Sequence, residues 1–280
     1  RNRRSPPCAA PTSARSAISS STCISGWCSS TRHRSSATFG DIVCVKEVDA
    51  STPKLATSRL ETFQEGQPIA ADRFTRDGVD GWLHLDHGAS VEMVQQCLDA
   101  GFDSVMIDAS EKSFEENVRI TSAVVNIARS YHASVEAELG YVAKLGQAQT
   151  VDQFTQPEEA ARFVEETGID ALAVAIGSAH GFYKETPKLQ LDLLEKIHRA
   201  TPAALVLHGS SGIPDSQLKA AIGRGVSKVN LATETKNIFM RTLKDVLTDS
   251  DEIDLRKVFP KATQAVKDLI AEKLEVVSPG

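Results

Sequence analysis

Three of the seven histidines, His87, His180 and His208, stand at or just past the ends of short apolar runs, in LHLDHG (83–88), DALAVAIGSAHG (170–181) and ALVLHG (204–209). Brought together, three imidazoles make the ligand set of a catalytic zinc ion with one coordination position left open. Taken singly, each reads equally well as a structural histidine; their common position after an apolar run is what makes them a set. Carboxylates take the same kind of position. Asp86 directly precedes His87, and in an extended segment adjacent side chains diverge, so one would bind metal while the other faces a substrate as acid or base. Asp108 and Glu138 end two further runs, SVMID (104–108) and SVEAEL (134–139). Each reads as a second metal position, as support for the first, or as a helix cap or internal salt bridge. Glu136 shares the strand parity of Glu138 and could share its task, and His84 shares that of Asp86, with a structural role favoured. His33, His132 and His198 fall in a basic leader, at a helix end and on a polar helix face.

Small residues follow the same runs. His208 leads into Gly209, Ser210, Ser211 and Gly212, and Asn230, Leu231, Ala232 and Thr233 close the last run just before a helical pattern. Such loops cradle phosphate through backbone N–H groups, hydroxyls and a helix N-terminus. Gly181, after His180, can present its amide without a side chain in the way.

The elements that must position these residues are six strands, over 82–86, 104–108, 134–139, 170–176, 204–209 and 228–233. Helical patterns lie between and after them: 90–100, 114–131, 157–167 opening at Pro157 and closing at Gly168, 189–200, 214–224, 234–247 and an amphipathic segment over 256–274. Strand starts 22 to 36 residues apart suit successive βα units and a parallel sheet. Six in a row point to a TIM (β/α)8 barrel, whose C-terminal mouth would gather the histidines. Its first two βα units are poorly recognisable or missing within 1–81, where only 42–45 suggests a short strand.

Composition narrows the function. No run of about 18 apolar residues occurs, which argues against a membrane span, and the net charge of -6 argues against a nucleic-acid coat. A small-molecule partner is expected. The five cysteines form no CxxC pair and are too few for a disulfide framework, so a reducing, cytoplasmic setting is the default. The charge is uneven: residues 1–40 hold six Arg and eleven Ser with no Asp, Glu or Lys. This basic leader reads as an organellar transit peptide, a disordered tail or out-of-frame translation. The first methionine is Met93, as in a fragment, a processed chain or an edited sequence. The chain thus divides into the leader (1–40), an unassigned stretch (41–81) that could begin the barrel, and the barrel proper (82–280).

The segments LHLDHG (83–88), SVMIDAS (104–110), SVEAELG (134–140), TGIDALAVAIGSAHGFYK (167–184), LVLHGSSGIP (205–214) and KVNLATE (228–234) together resemble the class II, zinc-dependent ketose-bisphosphate aldolases, nearest the branch holding tagatose- and fructose-bisphosphate aldolases. The resemblance implies reversible cleavage of a ketose 1,6-bisphosphate to dihydroxyacetone phosphate and an aldehyde. It implies zinc on His87, His180 and His208, and Asp86 as the acid/base at the C4 hydroxyl. Asp108 and Glu138 match an alternative metal position. Gly181, Gly209 to Ser211 and Asn230 to Thr233 match contacts to dihydroxyacetone phosphate. A monovalent cation, Na+ or K+, and a homo-oligomer, dimer or tetramer, belong to the same implication. Two departures stand out. Residues 1–81 show no counterpart of the family's early Asn and Ser contacts, and the loop YVAKLGQAQT (141–150) has no acid where the family carries one. Both motivate an alternative, a catalytically inactive relative that binds metal or sugar phosphate or serves in assembly.

Overall fold

In the computed structural model the described residues are 42–45, 54–57, 81–142, 153–181, 183 and 187–278. The basic leader over 1–40 and the acid-free segment 143–150 lie outside them. Eight strands join in chain order into a closed barrel: β1 (Ile42–Val45), β2 (Lys54–Thr57), β3 (Gly81–Gly88), β4 (Ser104–Ile107), β5 (Ser134–Leu139), β6 (Ala171–Val174), β7 (Ala204–Leu207) and β8 (Val226–Leu231). The described helices are α1 (Val91–Asp99), α2 (Phe114–Tyr131), α3 (Pro157–Thr167), α4 (Leu191–Ala200), α5 (Asp215–Ile222), α6 (Thr233–Thr248) and α7 (Leu255–Val277).

From β2 to β8 every neighbouring pair is parallel. β1 coincides with the short strand suggested at 42–45, whereas β2 is not recognisable in the sequence. β1 departs from a regular (β/α)8 barrel because it runs antiparallel to both β2 and β8. Only residues 46–53 separate β1 from β2, and a parallel crossover needs a dozen or more.

Strand alternation sorts the side chains. Leu83, Leu85, Val105, Ile107, Val135, Ala137, Leu205 and Leu207 face outward into one core with Val94, Leu98, Val124, Phe163 and Leu194 of the helices. The intervening residues face inward: a small apolar cluster of Met106, Ala171, Ala173 and Val206, and a polar set that includes His84, Asp86, Glu136, Glu138, His208, Lys228 and Asn230, all buried. Helix starts follow local chemistry. Ser113 Oγ accepts the Glu116 amide to open α2, as expected of an S-x-x-E start, while α3 opens at Pro157 and stops at Gly168 with φ 69°. With β3 to β8 parallel, one end of the barrel receives every strand C-terminus.

Candidate metal centre and active site

At that end β3 breaks its own alternation. Its register against β4 shifts between Leu85 and Gly88, and His87 takes φ 49°, a left-handed conformation that costs a non-glycine residue about 1–2 kcal/mol. The divergence expected of Asp86 and His87 in an extended segment therefore does not hold. The bulge turns both into one pocket, with His87 Nε2 3.9 Å from Asp86 Oδ1.

His87, His180 and His208 converge there. Ring centroids lie 5.0 Å apart for His87 and His180 and 4.7 Å for His87 and His208. One ligand atom from each of these histidines and from Glu138 falls within 4.8 Å of all the others. Two ligand atoms are especially close, His208 Nδ1 and His87 Nε2 at 3.0 Å. Glu138 is buried, and its Oε2 has no hydrogen-bond partner, an orphan that a cation would satisfy. Three imidazole nitrogens and a carboxylate oxygen form a donor set suited to a divalent metal.

The outer nitrogens of His87 and His208 are held by carboxylates, the usual support behind a metal-ligating histidine. His87 Nδ1 lies 2.8 Å from Asp108 Oδ2, while Asp108 Oδ1 accepts from the Ser110 amide and hydroxyl. Asp108 is thus placed behind a ligand rather than within the cluster. Glu136 Oε1 does the same for His208 Nε2 at 2.8 Å. Asn230 Nδ2 donates to Asp86 Oδ1 at 3.0 Å. It also lies over the His208 ring, 3.4 Å from Nδ1 and 3.2 Å from Nε2. Asn230 Oδ1 is buried without a partner.

Electrostatics separate the acidic groups. Burial opposes ionisation of Asp86, yet His87, His208 and Lys228 hold its carboxyl below the usual value. Burial, reinforced by the Asp108 charge, pushes Glu138 up to about 7. Burial would lower His87, but the Asp108 hydrogen bond and the Asp86 and Glu138 charges raise it to about 9. His180, lowered first by burial and then by the other two histidines, falls to about 4. Two carboxylates with opposite shifts in one pocket can take different roles.

Beside the histidines, the β6 and β7 loops lock together. Gly209 has φ 65°, and a Cβ there would sit 2.4 Å from Ala179 O. Tyr183 Oη accepts from the Ala179 amide and donates to Gly209 O, both at 2.7 Å. Ser210 Oγ donates to Asn230 O, and Ser211 Oγ accepts the Glu234 amide at 3.1 Å, capping α6 from outside. Ala232 is the α6 N-cap and Thr233 its first residue. The Leu231 side chain is buried in the barrel wall. Gly181 follows His180 with φ 96°.

The model of the family "Fructose-bisphosphate aldolase class-II" matches residues 52–279. The chain belongs to this family. It is similar to the fructose-bisphosphate aldolase of Geobacillus stearothermophilus, 46% identical over 197 residues, which are 69% of this chain and 68% of that one. A Staphylococcus epidermidis fructose-bisphosphate aldolase is 45% identical over 195 residues, 69% of this chain and 68% of that one. Among solved structures, the YdjI aldolase from Escherichia coli K12 is 36% identical with a TM-score of 0.66, covering 75% of this chain and 74% of that chain.

Within this class II aldolase barrel, some contributors escape sequence reading. Lys228 sits inside the apolar strand VSKVNL; its parity with Asn230 is the available signal. Tyr183 carries no periodic signal, since its role arises only once two loops meet.

Proposed function

We propose that the protein is a zinc-dependent aldolase that reversibly splits a ketose 1,6-bisphosphate, of the fructose or tagatose type, into dihydroxyacetone phosphate and an aldehyde such as glyceraldehyde 3-phosphate. The observation that carries this reading is the convergence of His87, His180, His208 and Glu138 beside an Asp86 kept ionised. His87, His180 and His208 would hold the zinc, with Glu138 beside them and Asp108 behind His87 as the acidic side of the site. Bound there, the ion supplies Lewis-acid polarisation of a carbonyl.

The chain's own residues do the rest. Asp86, its Oδ1 fixed by Asn230 Nδ2, takes the C4 hydroxyl proton in cleavage and returns it in condensation. The unpartnered Asn230 Oδ1 accepts from a substrate hydroxyl. Gly181, Gly209, Ser210, Ser211 and the Asn230–Thr233 segment hold the phosphate of the three-carbon product through amides, hydroxyls and the N-terminus of α6. The family resemblance adds a monovalent cation, Na+ or K+, and a homo-oligomer to this reading; the cysteine usage adds a cytoplasmic setting, or an organellar one where the Arg/Ser-rich leader serves as a transit peptide. No described helix is long and apolar enough to cross a membrane.

His180→Ala tests the reading. Loss of bound zinc together with loss of turnover is expected; a variant that keeps both would contradict it. A second reading, an inactive metal- or sugar-phosphate-binding relative, is favoured by the absence of an acid in YVAKLGQAQT (141–150). Tight phosphate-ligand binding without turnover would establish that alternative.

A further inference from the structure

Beneath the histidines, a row of buried polar side chains crosses the barrel. Lys228 of β8 and His84 of β3 are fully buried, and Glu136 of β5 and Ser104 of β4 are each 1% exposed. Lys228 Nζ donates to Glu136 Oε2 at 2.6 Å and lies 3.2 Å from His84 Nε2. His84 Nδ1 lies 2.8 Å from Ser104 Oγ. The second oxygen of Glu136 meets His208 Nε2 at 2.8 Å. The row therefore runs Ser104, His84, Lys228, Glu136, and ends on a metal-ligating histidine.

Donor and acceptor rules give the row a direction. An ammonium has three donors and no acceptor, so His84 Nε2 must be that ring's bare nitrogen, and its proton sits on Nδ1 facing Ser104. The same rules make Glu136 Oε1 an acceptor, which places the His208 proton on Nε2. His208 Nδ1 then keeps its lone pair where the ligand atoms converge, 3.0 Å from His87 Nε2.

Stability does not explain the row. A buried ion pair is commonly no better than apolar residues of equal volume, and the neighbouring interior positions are apolar: Met106, Ala171, Ala173 and Val206. We propose that Lys228 is a positioning residue of the metal site, which, by anchoring one oxygen of Glu136, fixes the ring orientation and tautomer of His208. This rests on the metal-dependent reading of the site but not on the identity of the sugar.

The test reads metal, not turnover, so failure of the aldolase reaction would leave it intact. Zinc affinity by chelator competition and the visible spectrum of the cobalt-loaded protein are measured for the full chain and its variants, with circular dichroism as the control for folding. Lys228→Met is expected to weaken zinc binding about 10–100-fold, the usual effect of losing support behind a ligand, and to alter the cobalt spectrum. Glu136→Gln carries the sharper expectation. Lys228 would claim the single amide oxygen and leave the NH2 facing His208 Nε2–H, donor against donor, so affinity falls at least about tenfold. Adding Lys228→Met frees the amide to turn, its NH2 toward His84 Nε2, which lies 3.5 Å from Glu136 Oε2. The double variant should therefore bind zinc more tightly than Glu136→Gln alone. Wild-type affinity and spectrum in a folded Lys228→Met, or a double variant weaker than Glu136→Gln, would overturn the proposal. Should Lys228→Met fail to fold, wild-type affinity in Glu136→Gln would still overturn it.

Discussion

At the scale of single residues, Asp86 and the histidines make separable contributions. Asp86 is not among the residues whose ligand atoms converge, so Asp86→Asn should keep its zinc while kcat falls about 10²- to 10⁴-fold, the range for losing an acid/base group; metal analysis and steady-state kinetics on one preparation check this. The metal set itself titrates. In the metal-free protein His87 is raised to about 9 and Glu138 to about 7, and each must shed its proton to bind a cation. Zinc affinity should thus weaken as the pH falls below about 9, and more steeply below about 7, with proton release on binding. Calorimetry in buffers of different ionisation enthalpy counts those protons, and uptake independent of pH from 6 to 9 would be the wrong sign. The histidine set is legible in the sequence because each member ends an apolar run. The task of Glu136 is only half legible, since parity places it inside the barrel but nothing in SVEAEL says that it faces His208.

Among elements, the junction of the β6 and β7 loops holds the backbone proposed to meet the phosphate. Gly209 has φ 65° and no room for a Cβ against Ala179 O, so Gly209→Ala should cost roughly 1–3 kcal/mol and lower the Tm by several degrees. It should also raise KM for the sugar phosphate more than it changes zinc content; an unchanged Tm and KM would show that the close approach is dispensable. Helices α2 and α3 are readable from their caps and apolar spacing, and β3 to β8 from their runs. The positive φ of His87 is not, because a bulge reflects how β3 must meet β4, and the residues around it look like an ordinary strand. β1 shows the same limit: Ile42–Val45 reads as a strand, but its antiparallel direction follows from the short connection to β2 rather than from its own residues.

On the scale of the whole molecule, seven parallel strands and one antiparallel strand close a barrel whose mouth carries the metal set, Asp86 and the two loops proposed to hold phosphate, from five different strands. β1 closes the barrel against β8, with Val43 opposite Asn230 and Val45 opposite Lys228, and Lys228 also faces Val206 of β7. Family membership and barrel are legible from residues 82 onward, whereas the preceding stretch carries too little periodic pattern to place by sequence. The most direct test of the proposed chemistry is triose-phosphate release from fructose 1,6-bisphosphate and tagatose 1,6-bisphosphate by the purified protein, before and after chelation and again after zinc is added back. Release that a chelator abolishes and zinc restores is the expected result, and the faster sugar names the substrate. No release from either sugar by folded, zinc-loaded protein would contradict the aldolase assignment.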